Sequence, residues 1–312
     1  MSYARILERL SAGQRLLLDG ATGTELQRRG VAMDPDAWCG AATLGNDAIL
    51  AEIHADYIRA GSDVVTANTF ASSRLMLEGS GHADRTGEIN RRAVEAALAG
   101  RELAAAGRDV LVAASLSHMV PMSEGTAGAD PALLPSPQQM ADAFGELAGI
   151  VRDAGADLIL LEMMYHPERA PLALEAALST GLPVWFGLSA RRLDDGRLGC
   201  FDPFSDVGLE AVARLAATPG IDVAGAMHTG AELIDDALAE LRRHFSGPLM
   251  AYPDSGYFEM PEWNFVDVIA PDRFERFAAD WFASGVQLIG GCCGLTVSHV
   301  EAARRARDRT GG

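Results

Sequence analysis

Eight short apolar runs, each typical of a buried β-strand, alternate along this chain with alanine- and leucine-rich segments that have helical spacing. Several helical segments end at a glycine just before the next apolar run, as at Gly61, Gly155 and Gly285. Glycine is common at helix C-termini, so these positions predict where the helices stop. The apolar runs cover residues 16–19, 63–66, 110–114, 158–162, 184–188, 223–226, 249–252 and 287–290.

Eight consecutive strand-then-helix units predict a parallel sheet that closes on itself, the α/β fold known as the (β/α)8 or TIM barrel. The length of 312 residues suits one such barrel. No proline-, glycine- or serine-rich linker interrupts the alternation, so we expect residues 1–312 to form a single domain. An open, doubly wound sheet is the alternative, although it usually has fewer strands.

Charge limits the class of partner. The formal net charge is −17, and no basic run is longer than Arg304-Arg305. Nucleic acids and anionic membranes both require a concentrated positive surface, so we expect neither as a partner. A small molecule is the expected ligand.

Neither the apolar runs nor the cysteines indicate export or membrane insertion. No run of about 18 apolar residues appears, and the N-terminal segment lacks the apolar core and cleavage site of a signal peptide. Four cysteines, at 39, 200, 292 and 293, do not form a disulfide framework for a chain of this size. We therefore expect a reducing compartment, the cytoplasm.

A barrel carries its reactive groups at the C-terminal ends of its strands. Polar residues stand at this end of almost every predicted strand, and a substrate site at the barrel mouth is therefore expected. These residues are Asp19, Asn68, Thr69, Ser115, Glu162, Ser189, His228, Tyr252, Cys292 and Cys293.

The adjacent Cys292 and Cys293 lie in the segment LIGGCCGL, at the end of the last predicted strand. A disulfide between neighbouring residues is strained, which disfavours that explanation. Two thiolates on a glycine-flanked turn can bind one metal ion, and a catalytic zinc then needs a third protein ligand and an open position. Two small core residues or a redox site are the alternatives, although the spacing is not that of a C-x-x-C motif.

Several segments, in order along the chain, resemble the homocysteine S-methyltransferase family. LIGGCCGLTVSHV at 288–300 is similar to the zinc-binding end of that family, and LLLDGATGTELQRRG at 16–30 is similar to its opening strand and turn. The segments at 36–70, 154–162 and 252–256 also follow the family pattern. The resemblance implies a (β/α)8 barrel that uses Zn²⁺ and methylates a thiol.

In that family a third cysteine, after the sixth strand, completes the zinc site. Here His228 stands in its register, within the segment 223–229. Because imidazole is a good zinc ligand, the resemblance implies a site of His228, Cys292 and Cys293. Cys200, in a loop after the fifth strand, is the rival third ligand.

The resemblance also implies a pocket for an amino-acid thiol. Asp19, Gly20, Ala21 and Glu162 occupy the family's homocysteine-recognition positions, and carboxylates with backbone amides suit an ammonium and a carboxylate. Asp19 could instead cap a helix, and Glu162 could pair with a surface arginine. The candidate substrate-binding residues at the barrel mouth are Asp19, Gly20, Ala21, Trp38, Asn68, Glu162 and Tyr252.

The expected reaction is therefore methyl transfer from a small onium donor to homocysteine or a similar thiol, with methionine or a thioether as product. Aromatic residues such as Trp38, Phe70, Tyr252 and Trp263 would suit a cationic donor. The chain ends soon after its eighth helical segment, without the extended arm of betaine-type relatives, which favours S-methylmethionine as the kind of donor.

Departures from the family pattern keep two alternatives open. The loop that begins at Ser115 differs from the usual Gly-Pro-Tyr-Gly, Met163 replaces the threonine or tyrosine that commonly follows the glutamate, and Asp254 replaces an asparagine. One alternative is a divergent methyltransferase or demethylase that acts on another thiol or methylated compound. The other is a non-catalytic barrel that binds a metal or an amino acid.

Overall fold

In the computed structural model, which describes residues 3–309 and 311, twelve strands and eleven α-helices are found among the described residues. The strands are β1 Leu16–Leu17, β2 Val64–Ala67, β3 Leu111–Leu116, β4 Leu158–Met164, β5 Val184–Leu188, β6 Ala190–Arg192, β7 Leu198–Cys200, β8 Ile221–Gly230, β9 Leu249–Asp254, β10 Tyr257–Glu259, β11 Glu262–Asn264 and β12 Leu288–Ile289. The helices are α1 Tyr3–Ser11, α2 Thr22–Arg28, α3 Asp47–Ala60, α4 Arg74–Gly79, α5 Thr86–Ala104, α6 Pro137–Asp153, α7 Arg169–Ser179, α8 Glu210–Ala213, α9 Ile234–Leu241, α10 Pro271–Ala283 and α11 Val297–Arg309.

Eight of the strands form one parallel sheet in the order β1-β12-β9-β8-β5-β4-β3-β2. Each strand that continues the sheet is preceded by helical structure, as expected for right-handed crossovers. The barrel prediction is confirmed, and all eight predicted apolar runs overlap a strand of this sheet.

The helices form where local signals favour them. At α6, Ser136 accepts a hydrogen bond from the backbone N–H of Gln139, whose side chain returns a bond to the backbone of Ser136. Pro137 at the first helical position needs no N–H partner there. The buried face of α6 includes Phe144 and Leu147, which pack into the continuous core between helices and sheet.

Two aspartates close the barrel between β1 and β2, where the regular ladder ends. The backbone N–H of Asp63 donates to Leu17 O at 2.7 Å, and the Asp63 carboxylate accepts the N–H of Leu17 at 2.9 Å. Nearer the C-terminal ends of the strands, the Asp19 carboxylate accepts a hydrogen bond from the backbone N–H of Thr66 at 2.6 Å. Side-chain oxygens thus replace missing carbonyl partners at this seam.

Replacing Asp63 with alanine should lower the free energy of unfolding by roughly 3 kcal/mol, because a buried N–H loses its acceptor and Arg9 loses its ion pair. Urea unfolding followed by circular dichroism measures this effect. Asp153→Ala is the matched control. Asp153 is exposed and pairs with its exposed neighbour Arg152, so its replacement should change the free energy of unfolding by less than about 0.5 kcal/mol. Equal losses in the two variants would contradict a role for Asp63 in closure.

The structure differs from the sequence expectation mainly beyond the sheet. Two antiparallel hairpins, β6–β7 and β10–β11, occupy loops in which no strand was predicted. Strand β8 runs on to Gly230, so His228 lies within it rather than past its end. Among the helices of the described residues, none combines the length and the apolar character needed to cross a membrane.

Candidate metal and substrate site

Cys292 and Cys293 follow β12 in a turn that is hydrogen-bonded to the end of β9. The N–H of Cys292 donates to Pro253 O at 2.7 Å, and Cys293 O accepts the N–H of Ser255 at 2.9 Å. Gly294 then adopts a φ of 81°, and a Cβ atom at this position would lie 1.9 Å from Ser255 O. Only glycine fits here, and the close approach holds both cysteines at the barrel mouth.

His228 reaches the cysteines from a distorted part of β8. Its φ is 42°, and the pairing register between β8 and β9 shifts between Met227 and Gly230. A left-handed histidine within a strand is strained, and such bulges commonly re-aim a side chain at a functional site. Its Nε2 lies 3.0 Å from Cys292 Sγ, and its ring stacks on that of Phe70 with 5.3 Å between the ring centroids.

These three residues have the donor atoms and the spacing of a zinc site. Their potential ligand atoms all lie within 4.8 Å of one another, and all three residues are buried. The two sulfurs are 3.8 Å apart, which matches the roughly 3.8 Å between two sulfurs bonded to one zinc at about 2.3 Å and a tetrahedral angle. The donor set therefore fits Zn²⁺.

The rival ligand Cys200 lies elsewhere. It ends β7, fully buried, with its Sγ 3.6 Å from Gly208 O. Among the residues that the structure describes, the group of close potential ligands contains His228 and the cysteine pair but not Cys200.

The charges of the cluster are mutually dependent. Although burial raises the pKa of Cys293, the hydrogen bond from Cys292 and the nearby His228 lower it to about 7. Burial favours the neutral form of His228, but Cys293 and Glu162 outweigh it and raise the His228 pKa to about 10. A metal ion that binds here must displace these protons, so its affinity should increase with pH.

Glu162 lies beside the cluster, on β4. Its Oε1 is 2.8 Å from His228 Nε2, and its Oε2 accepts a hydrogen bond from Ser115 Oγ. The following residue, Met163, has a φ of 61° at a register shift between β4 and β5. Glu162 and His228 therefore both project from irregular strand segments.

Asp19 lies underneath the mouth rather than in it. Its carboxylate is fully buried and accepts bonds from Thr66 N–H and, at 2.9 Å, from Tyr252 OH. Burial raises the Asp19 pKa to about 7, although these hydrogen bonds oppose the shift. Gly20 packs against Tyr57, where a Cβ atom would lie 2.5 Å from the ring. Asp19 thus supports Tyr252 from below.

The remaining predicted residues line a small inner cavity above the cluster. Ala21, Asn68, Glu162 and Tyr252 line it together with the three candidate ligands. Asn68 is held by a 2.8 Å hydrogen bond from its Nδ2 to Cys39 O. Of the seven predicted substrate residues, Asp19 and Gly20 stand behind this cavity and the other five line it.

A larger outer chamber of about 360 Å³, partly open to solvent, adjoins the inner cavity. Trp38, Phe70, His228 and Cys293 line both spaces. The walls of the outer chamber are mostly aromatic or methionine side chains, and Asp254 contributes a carboxylate to them. Burial raises the Asp254 pKa to about 6, although the nearby His228 opposes this rise. The lining includes Tyr165, Phe201, Phe258 and Trp263.

Two loops cover the outer chamber. Met260, in the turn of the β10–β11 hairpin, exchanges 3.2 Å backbone hydrogen bonds with Gly125 and Thr126 of the segment between β3 and α6. We call these two segments, residues 121–130 and 256–264, the roof. Sequence reasoning missed the segment at 121–130 and the chamber residues Tyr165 and Phe201, since irregular loops have no periodic signal.

Comparison with known proteins agrees with this geometry. A family model described as homocysteine S-methyltransferase matches residues 16–307. Homocysteine S-methyltransferase 4 of Zea mays is 26% identical, over 95% of this chain and 90% of its own length. Betaine–homocysteine S-methyltransferase 1 of Danio rerio is 28% identical, over 95% of this chain and 74% of its own.

A solved structure is similar over the same extent. The homocysteine methyltransferase MmuM of Escherichia coli, in its oxidized form, superimposes with a TM-score of 0.73 at 25% identity and covers 96% of this chain and 98% of its own. The family match spans the barrel from its first strand to its last helix. The chain therefore belongs to the homocysteine S-methyltransferase family and is an enzyme of the methyltransferase class.

Proposed function

We propose that this protein transfers a methyl group from a small onium donor of the S-methylmethionine kind to homocysteine or a similar thiol, with Zn²⁺ held by His228, Cys292 and Cys293. The observation that carries the proposal is the Cys2His cluster, which lies where the inner cavity meets the aromatic outer chamber. When bound, zinc would supply a Lewis acid that lowers the pKa of a thiol at neutral pH.

The inner cavity suits the amino-acid end of the acceptor. Glu162 can face an ammonium group, and the backbone of Ala21 and Thr22 lies at the start of α2, whose first N–H groups lack helical partners. Tyr252, anchored by Asp19, forms another wall. These groups would hold the thiol with its sulfur toward the cysteine pair.

The outer chamber suits a cationic donor. Aromatic faces attract onium groups, and Trp38 packs edge-on against both Phe70 and Phe258 at centroid distances of 6.0 and 5.3 Å. With a pKa of about 6, Asp254 is mostly ionised at neutral pH and adds a negative charge. A donor here would present its methyl group toward the inner cavity.

The chain's contribution to the rate would be mainly positional. Methyl transfer needs sulfur, methyl carbon and leaving atom in line, and holding both substrates in this alignment replaces a bimolecular encounter. The roof covers part of the outer chamber and would limit the access of water to the sulfur.

Product analysis with homocysteine and each of S-methylmethionine, S-adenosylmethionine and betaine tests the proposal. We expect methionine, with the highest kcat/KM for S-methylmethionine. Asp254→Asn should raise the donor KM about tenfold, a loss of ~1.4 kcal/mol, and leave the homocysteine KM unchanged. Asp206→Asn is the control, because Asp206 is an exposed carboxylate in the loop after β7 that pairs with Arg191.

A different acceptor or donor is the second candidate, favoured by Met163 and Asp254, which line the outer chamber where the sequence departs from the family pattern. Methyl transfer to another thiol, without transfer to homocysteine, would support it. No transfer to any thiol from any onium donor would overturn both candidates.

A further inference from the structure

We propose that Glu162 is a positioning residue for the metal ligand His228, fixing which imidazole nitrogen faces the metal; this inference rests on the zinc site of the proposed function. The relevant contact is the 2.8 Å distance between Glu162 Oε1 and His228 Nε2. A ligating histidine commonly donates its other ring N–H to a carboxylate, which sets its tautomer and orientation.

The geometry assigns the proton to Nε2. The Glu162 carboxylate can only accept at Oε1, so Nε2 carries the hydrogen in this pair. The lone pair then lies on Nδ1. Both ring nitrogens are close to Cys292 Sγ, Nε2 at 3.0 Å and Nδ1 at 3.4 Å, so the contact with Glu162 decides which of them is free to bind a metal. Nδ1 therefore becomes the ligand atom that His228 offers beside the cysteine pair.

The carboxylate is itself held in place. Ser115 donates to Glu162 Oε2, so one oxygen is fixed by β3 while the other contacts His228 on β8. Phe70 stacks nearly parallel to the imidazole, with 18° between the ring planes, and limits rotation of the ring. Serine, carboxylate and imidazole form a continuous chain across the barrel mouth.

Burial makes the pairing necessary. Glu162 and His228 are 7% and 5% exposed, and a carboxylate at that depth without a partner would be strongly destabilising. Glu162 is not among the described residues whose ligand atoms group around the metal position. Its oxygens contact His228 and Ser115, so it acts on the metal site through the ligand, in addition to any contact with a substrate ammonium.

Zinc affinity measured by chelator competition tests the inference without turnover. Glu162→Gln should weaken zinc binding about 10- to 100-fold, as expected for loss of an outer carboxylate. Glu146→Gln, which alters the surface ion pair between Glu146 on α6 and Arg74 on α4, should leave the zinc affinity unchanged. Ser115→Ala, a milder change, should weaken zinc binding in the same direction by a smaller factor.

A double variant tests whether the effect of Glu162 depends on the imidazole of His228. In His228→Cys no ring remains to be oriented, so adding Glu162→Gln should change the zinc affinity less than about twofold. An equal loss in both backgrounds would overturn the inference, because Glu162 would then act without His228. Unchanged zinc affinity in Glu162→Gln, with only a higher homocysteine KM, would also overturn it.

Nitrogen-15 NMR of the zinc-loaded protein gives a readout independent of mutation. We expect His228 to be protonated at Nε2 and metal-bound at Nδ1, and the reverse assignment would overturn the inference. Failure of the proposed methyl transfer is read from products alone, so the two results remain separate.

Discussion

Replacing Cys293 with serine should remove zinc from the purified protein and reduce kcat/KM for methyl transfer by roughly 10³-fold, because several kcal/mol of charge stabilisation depend on the metal. Serine is nearly isosteric but is not a preferred zinc ligand. If the binding free energy of zinc at a four-ligand site is about 10–16 kcal/mol, each ligand contributes roughly 3 kcal/mol, which corresponds to about a hundredfold in affinity. Metal analysis after dialysis against a chelator measures the first effect, and methionine formation measures the second.

Cys39→Ser is the matched control for this substitution. Cys39 is buried and lines the same inner cavity, but it is not part of the ligand group. Its replacement should leave about one zinc per chain. Full zinc in Cys293→Ser, or loss of zinc in both variants, would contradict the proposed ligand set.

The second large effect is expected at His228. His228→Ala should weaken zinc binding at least about a hundredfold, by the same share of roughly 3 kcal/mol per ligand. It also leaves Glu162 buried without its imidazole partner, which should lower the free energy of unfolding by about 3 kcal/mol. Chelator competition and urea unfolding measure the two consequences separately.

Two further variants make the His228 result specific. Cys200→Ala should keep full zinc, since Cys200 Sγ contacts the carbonyl oxygen of Gly208 and is not part of the ligand cluster. His228→Cys should bind zinc again, because a third thiolate replaces the imidazole. If His228→Ala keeps its zinc while Cys200→Ala loses it, the ligand assignment is wrong.

The barrel and the cysteine pair could be predicted because both have strong local signals. Each strand of the sheet is an apolar run of the right length, and Cys292-Cys293 follows the last one. The family resemblance stated from five segments is confirmed by the family match over residues 16–307. That residues 1–312 form one domain, and that the seven mouth residues bind substrate, stay predictions.

The rest depended on contacts between distant segments. The bulge that turns His228 inward is a tertiary feature, since nothing in the local sequence of β8 marks a left-handed φ. Closure through Asp63 joins side chain to backbone across 46 positions. The link from Glu162 to His228 spans 66 positions, so Glu162 could be placed at a strand end but its partner could not be named.

The close packing of Gly294 against Ser255 has an evolutionary consequence. The segment that carries Asp254 and begins the roof is hydrogen-bonded to the very turn that carries both cysteines. Insertions or deletions that retune donor choice in this segment would therefore shift the metal ligands as well. Donor preference should diversify instead through the segment at 121–130, whose backbone hydrogen bonds join it to the β10–β11 hairpin rather than to the metal turn.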